Sequence, residues 1–147
     1  MDQLNFPTFQ FKFKNRENKT AIFSVLRKKF LILTPEEWVR QHCVQFLHQH
    51  LAYPLSLLSE ERKIEINGRI KRYDIVAFEP NGKINLMVEC KAPSIPITQA
   101  TFDQIAKYNM ELDARYLMIT NGINHYFCQM NKEIQEYTFL PELPKYK

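Results

Sequence analysis

Residues 84–93 read INLMVECKAP. The apolar stretch Ile84-Asn85-Leu86-Met87-Val88 has the character of a core strand. It runs straight into Glu89, Cys90 and Lys91, and Pro93 then stops any ladder. Charged residues are rarely fully buried unless paired. Side chains alternate along a strand, so Glu89 and Lys91 share one face and Cys90 points to the other with Val88 and Leu86. The segment therefore reads as core on one side and as a polar site on the other.

Its neighbours follow from turn chemistry. RKIEI (62–66) ends at Asn67-Gly68, a strong hairpin signal, and RIKRYDIVAF (69–78) follows. PNGK (80–83) marks a second turn, so 62–66, 69–78 and 84–91 form an antiparallel meander of three strands. Asp74 shares parity with Ile70, Arg72, Val76 and Phe78, a poor place for an unpaired carboxylate. Hairpin pairing lets Asp74 lie beside Glu89, with Lys91 next to both. A salt bridge from Asp74 to Arg72 or Lys71 is the plain alternative.

Outward from the meander, TPEEWVRQHCVQFLHQHLAYP (34–54) is the clearest helix. Thr34 is the N-cap, Pro35 takes the favoured first position, and Glu37 completes a T-x-x-E capping box. Val39, Cys43, Phe46 or Leu47, and Leu51 recur at helical spacing and define its buried face, and Pro54 forbids continuation. A second helix is expected over 98–114, with Phe102, Ile105, Ala106 and Leu112 on its apolar side. RYLMIT (115–120) fits a strand covered on both faces, and 123–130 with 133–139 a closing hairpin. The strand after the second helix can enter the sheet parallel to 84–91 by a crossover. The order α-β-β-β-α-β with a C-terminal hairpin is an α/β chain with a central mixed sheet flanked by helices.

The 147 residues suit one domain, with a core over about 20–130, an N-terminal arm over 1–19 and a loose tail over 140–147. FQFKFK (9–14) reads as a short strand or extended arm, while 20–33 mixes basic and apolar residues without a clear period. A net charge of +4 permits a polyanionic partner without demanding one. Cys43, Cys90 and Cys128 form no CxxC pair, which points to a reducing, cytoplasmic setting. No apolar run reaches membrane-spanning length, and the start does not read as a signal peptide. With three glycines only, neither a GxxxxGK[ST] nor a GxGxxG nucleotide site can be built.

Two carboxylates set side by side repel and raise each other's pKa. A divalent cation resolves the conflict, and hard oxygen ligands suit Mg²⁺ or Mn²⁺. Such a metal polarises a phosphodiester and activates water, while Lys91 would orient that water or stabilise transition-state charge. The constellation of Asp74 followed by Glu89-Cys90-Lys91 resembles the PD-(D/E)XK nuclease superfamily. Gln104 and Tyr108 in QIAKY resemble the QxxxY motif of one branch of it, and lie four apart on one helix face. TPEEWVRQ, AYP, RYDIVAF, LMVECKAP, FDQIAKYN and ITNG together resemble the N-terminal nuclease domain of the R subunits of type I restriction enzymes, over roughly 20–130.

The resemblance implies a restriction-endonuclease-like core and metal-dependent DNA cleavage, without the ATP-driven motor of the R subunit. It implies Asp74, Glu89 and the Cys90 carbonyl as metal ligands, Lys91 as the catalytic cation, and Gln104 and Tyr108 as support. Many members add a first-helix glutamate; Glu36 is preferred here, with Glu37 as the fallback because it already has a capping role. DNA is the implied partner, together with a protein that supplies specificity or a motor. A nuclease fold that only binds is the rival, since fold does not dictate function.

Other residues have plainer readings. Tyr108 also makes sense as a core aromatic, Arg40 as a solvated residue or a carboxylate partner, and Cys90 as a buried thiol. The histidines form no HxxxH pair. Arg27, Lys28, Lys29, Arg69, Lys71 and Arg72 would serve either as solvated surface or as the lining of a DNA groove.

Overall fold

Thr34 opens the first helix as its sequence predicts. Its backbone is extended, its Oγ1 accepts from the Glu37 N–H at 3.0 Å, and Pro35 takes the first helical position. The computed structural model describes all 147 residues, and in it helix α1 spans Pro35–Gln49, ending short of Pro54. Val39, Cys43, Val44 and Leu47 are buried, so Leu47 and not Phe46 completes the apolar face. The capping box is only half formed. The Glu37 carboxylate turns inward to Arg40 and Gln41 instead of reaching back to the cap.

Strands β4 (Leu58–Ile66), β5 (Arg69–Phe78) and β6 (Ile84–Cys90) form the expected antiparallel meander. Asn67 and Gly68 both take left-handed backbone, as the tight turn between twisted strands requires. Helix α2 (Gln99–Asn109) then carries the chain over to β7 (Tyr116–Thr120), which pairs parallel to β6. Strands β8 (His125–Asn131) and β9 (Glu136–Leu140) close the sheet, whose order is β4-β5-β6-β7-β8-β9. The chain is thus α/β with a six-stranded mixed sheet, as anticipated.

The helices cover opposite faces of this sheet. Ile75, Ala77, Leu86, Val88 and Cys90 pack with Val39, Cys43 and Leu47 of α1. Tyr73, Val76, Met87, Leu117 and Ile119 pack with Phe102 and Ala106 of α2. Strand β6 is buried on both faces, which is why its alternation is masked by a continuous apolar run.

Besides shifts of two or three residues in the closing hairpin, four features differ from the sequence reading. Strand β4 begins four residues before position 62. Helix α2 stops at Asn109 and gives way to a 3₁₀ turn, Met110–Leu112, closed by left-handed Asp113. Residues 13–32 make a separate three-stranded antiparallel sheet, from β1 (Phe13–Arg16), β2 (Lys19–Ser24) and β3 (Lys29–Ile32), where an arm and an aperiodic stretch were expected. The tail is anchored rather than loose: Leu143 is buried, the Tyr146 N–H donates to Leu51 O at 2.8 Å, and its ring lies 5.0 Å from that of Tyr53. All three cysteines are buried and unpaired. No helix is long and apolar enough to cross a membrane.

Candidate active site

The β5–β6 ladder closes at Ile75↔Val88, so Asp74 and Glu89 are the next positions outward. From there β5 continues beside β4 alone and β6 beside β7 alone. In that opening the Cys90 N–H donates at 2.7 Å to Asp74 Oδ2, a side-chain oxygen, where a ladder would use a backbone carbonyl. The register brings Asp74, midway along β5, level with Glu89 near the end of β6, but their carboxylates turn to different cations, Asp74 to Arg40 and Glu89 to Lys71, so the expected Asp74–Glu89–Lys91 grouping is not formed.

The expected alternation of β5 breaks at Asp74. Tyr73 packs on the α2 side and Ile75 on the α1 side, although a regular strand would put them on one face. The cause lies opposite, where Glu61 interrupts β4 with a φ of 53° between the pairs Glu60↔Ile75 and Arg62↔Tyr73. Left-handed backbone at a non-glycine residue costs on the order of 1 kcal/mol or more. Here it turns the Glu61 carboxylate toward α1, so Asp74 and Glu61 face the helix instead of flanking Glu89.

Arg40 is what they face. Its Nη2 lies 2.9 Å from Glu36 Oε2, 3.0 Å from Glu61 Oε1 and 2.9 Å from Asp74 Oδ1, and its Nη1 is 2.5 Å from Glu37 Oε1. One guanidinium thus gathers four carboxylates from α1, β4 and β5. Its side chain is only 6% exposed. Burial disfavours the charge, but Glu37 and Asp74 outweigh it and hold Arg40 protonated above its ordinary range. Burial, and then the nearby Asp74 charge, push Glu36 above the usual carboxylate range.

Glu89 is served by a second cation. Lys71 Nζ is 2.7 Å from Glu89 Oε1, and also lies 5.0 Å from the Tyr73 ring centre and 4.4 Å from that of Tyr108. Tyr108 therefore meets the candidate site through Lys71. It is not a core aromatic, being exposed on α2. Gln104, one turn earlier, is exposed and no hydrogen bond joins it to the site. Lys91 lies one residue beyond β6, half-buried, with its N–H on Thr120 O at 2.8 Å and its ammonium outside every ion pair. Cys90 is buried beside Cys43, whose side-chain contact and the burial itself push its thiol upward.

Of the two first-helix glutamates, the fallback Glu37 lies deeper than the preferred Glu36. Glu36 has a side chain 48% exposed and bonds only Arg40, while Glu37 is nearly covered and holds both Arg40 and Gln41. Gln41 in turn donates to Glu60, as does Ser24 Oγ. Burial, and then the neighbouring Glu37, push the Glu60 carboxyl up to about 7.

The donor set fits a hard divalent cation in kind: carboxylates on the neighbouring strands β5 and β6, with more negative than positive charge around Arg40. Mg²⁺ usually takes one or two protein carboxylates and keeps several waters. A closed cage is not formed, since no three acidic, histidine or cysteine side chains are grouped to hold a metal. Arg40 and Lys71 engage the carboxylates instead.

Arg40, Glu61 and Lys71 are the residues sequence reasoning undervalued. The E-E-x-x-R spacing of Glu36, Glu37 and Arg40 on the Val39–Cys43 side was the available signal for Arg40. Nothing local marked Glu61.

Comparison with solved structures finds a Vibrio vulnificus chain described as a fragment of an HsdR subunit of a type I restriction enzyme. The match has a TM-score of 0.51 and 19% identity, over 77% of this chain and 24% of that one. At that identity it speaks for the fold alone, and this chain spans about a quarter of that fragment's length. No curated protein matches. The family model for the type I restriction enzyme R protein N terminus (HSDR_N) matches residues 35–144, from the first residue of α1 into the anchored tail. That span contains the Arg40 cluster together with Asp74 and Glu89, and the chain belongs to this family.

Proposed function

We propose that this chain is a metal-dependent DNA endonuclease domain of PD-(D/E)XK type that hydrolyses phosphodiesters. The observation that carries the reading is that Asp74 of β5 and Glu89 of β6 lie level, one position beyond the closing pair of their ladder, with Lys91 two residues on, in a chain of this family. Asp74, Glu89 and the Cys90 carbonyl would hold Mg²⁺ or Mn²⁺, with Glu36 as a further ligand on α1. Such an ion, when bound, supplies a Lewis acid that lowers the pKa of water at the scissile phosphate.

The chain's own residues do the rest. The Cys90 N–H fixes the Asp74 carboxylate in place. Lys91, free of ion pairs, is available to orient water or to meet charge on the phosphate. Tyr108 holds Lys71 against Glu89, and Gln104 sits beside it facing solvent. DNA is the substrate, and a partner or a further polypeptide would supply specificity or a motor. The buried unpaired thiols suit a reducing cytoplasm.

A second reading is a nuclease-fold binding module without catalysis. It draws on Arg40 and Lys71, which already neutralise the carboxylates.

Incubation of the protein and of Lys91→Ala with plasmid and single-stranded DNA, under Mg²⁺, Mn²⁺ or EDTA, separates the two. The endonuclease reading expects nicking that needs metal and falls by roughly 100-fold or more in Lys91→Ala. Equal, negligible nicking by both proteins in every condition would leave the binding module.

A further inference from the structure

The chain carries a net charge of +4, and its position in the fold is informative. Residues 62–72, the outer half of the β4–β5 hairpin, contain Arg62, Lys63, Arg69, Lys71 and Arg72 against Glu65 alone. The remaining sequence holds fifteen basic and fifteen acidic residues, so the whole net charge resides in this one ribbon.

Two of the five cations are engaged within the fold. Arg62 lies over the Phe78 ring at 5.4 Å, and Lys71 pairs with Glu89. Lys63 and Arg69 are exposed and form no ion pair, and Arg72 is exposed with one long contact, 3.5 Å, to Glu61. Lys63 and Arg72 are direct cross-strand partners. Like charges so placed repel, and an anion bridging them relieves the repulsion. Near them Ile70 is 71% exposed, offering an apolar contact among the cations. Lys63, Ile70 and Arg72 are all exposed on the face of the ribbon they share. Between its tip and α2 an open cleft adds Lys107 and Tyr108 beside Arg69.

We propose that the outer β4–β5 ribbon is the surface on which duplex DNA docks, with Lys63 and Arg72 on its phosphates and Ile70 against its groove. A two-stranded ribbon is of a size that a DNA groove admits. The Arg72–Glu61 contact ties this surface to the candidate site. Asp74 lies two residues from Arg72, about 7 Å along the strand, so a backbone held at Lys63 and Arg72 runs on to the carboxylates. The partner's identity rests on the endonuclease reading, and the test is therefore run without cleavage.

Anisotropy of a labelled duplex, titrated in EDTA at several salt concentrations, reads the interface. The double variant K63E/R72E should bind at least tenfold more weakly and lower the salt slope by about two, one for each lost phosphate contact. The matched variant K132E/K145E, which changes charge by the same amount elsewhere, should bind as the parent does. Equal loss in both double variants would overturn the proposal, as would a parent that binds an RNA hairpin and not duplex DNA. Duplex binding through the ribbon with no cutting under Mg²⁺ or Mn²⁺ would uphold the interface and sink the cleavage reading. Cutting that survives K63E/R72E undiminished would do the reverse.

Discussion

The Arg40 guanidinium donates to Asp74 Oδ1 at 2.9 Å, tying the first helix to the strand that carries the first candidate carboxylate. Removing one partner from a buried ionic cluster leaves the others uncompensated, which is costlier than never having built it. Arg40→Met should therefore destabilise the fold by about 3 kcal/mol, measured by urea denaturation at neutral pH. Arg40→Lys should recover only part of this, because an ammonium cannot reach four carboxylates with a planar fork. A methionine variant as stable as the parent would show that the cluster holds nothing together.

Glu60 makes a pH prediction. It joins α1 to the small sheet through Gln41 and Ser24, and its folded pKa is about 7 against an ordinary 4.5. A raised carboxyl means that the folded state binds more protons than the unfolded state between those values. Stability contributed here is therefore complete below pH about 4.5 and is lost as pH rises through about 7, a swing of up to about 3 kcal/mol. Glu60→Gln should flatten that part of the stability curve. Melting temperatures of the two proteins that run parallel from pH about 5 to about 8 would rule this out.

Gly122 sits where three segments meet. Its φ is +87°, and a Cβ there would come 2.8 Å from Leu4 Cδ2 and 2.9 Å from Val39 Cγ2. Its carbonyl also accepts the Asn5 N–H. Gly122→Ala should cost roughly 1–3 kcal/mol, from backbone strain together with overpacking. The loss should appear as a lower melting temperature, and Leu4→Ala in the same background should restore part of it by opening the space. No recovery in the double variant would locate the cost in the backbone alone.

Leu143 tests the tail. It is 3% exposed and belongs to the core beneath α1. Leu143→Ala should destabilise by about 2–4 kcal/mol, the range for a buried leucine. Glu142→Ala, whose side chain is exposed one residue earlier, should change stability by less than about 0.5 kcal/mol in the same denaturation assay.

Much of the fold was legible because its signals are local. Thr34-Pro35 starts a helix whatever surrounds it, and Asn67-Gly68 forces a tight turn through backbone freedom alone. The PNGK turn sets β5 beside β6, and a register shift between Ala77 and Phe78 then brings Asp74 level with Glu89. The small sheet was not legible, because its short strands are partly or wholly exposed and so carry no hydrophobic period. The tail misled for a related reason. Its anchors, Leu143 in the core and Tyr146 against Leu51 and Tyr53, gain meaning only from residues that lie far back in the chain.

By itself, then, the sequence determined the order of elements, the crossover and the pairing of β5 with β6, since turns, caps and periodicity act over a few residues. Only the tertiary structure decided which charge answers which. Arg40 collects Asp74 and Glu61 because α1 packs across a sheet whose strands lie twenty or more residues away in sequence. Glu61 turns toward it through a left-handed backbone that no residue type announces. Lys71 takes Glu89 because Tyr73 and Tyr108 hold its ammonium from two different elements. Ion pairing is decided by distances of a few ångströms between side chains, and only the packed helices and strands set those distances.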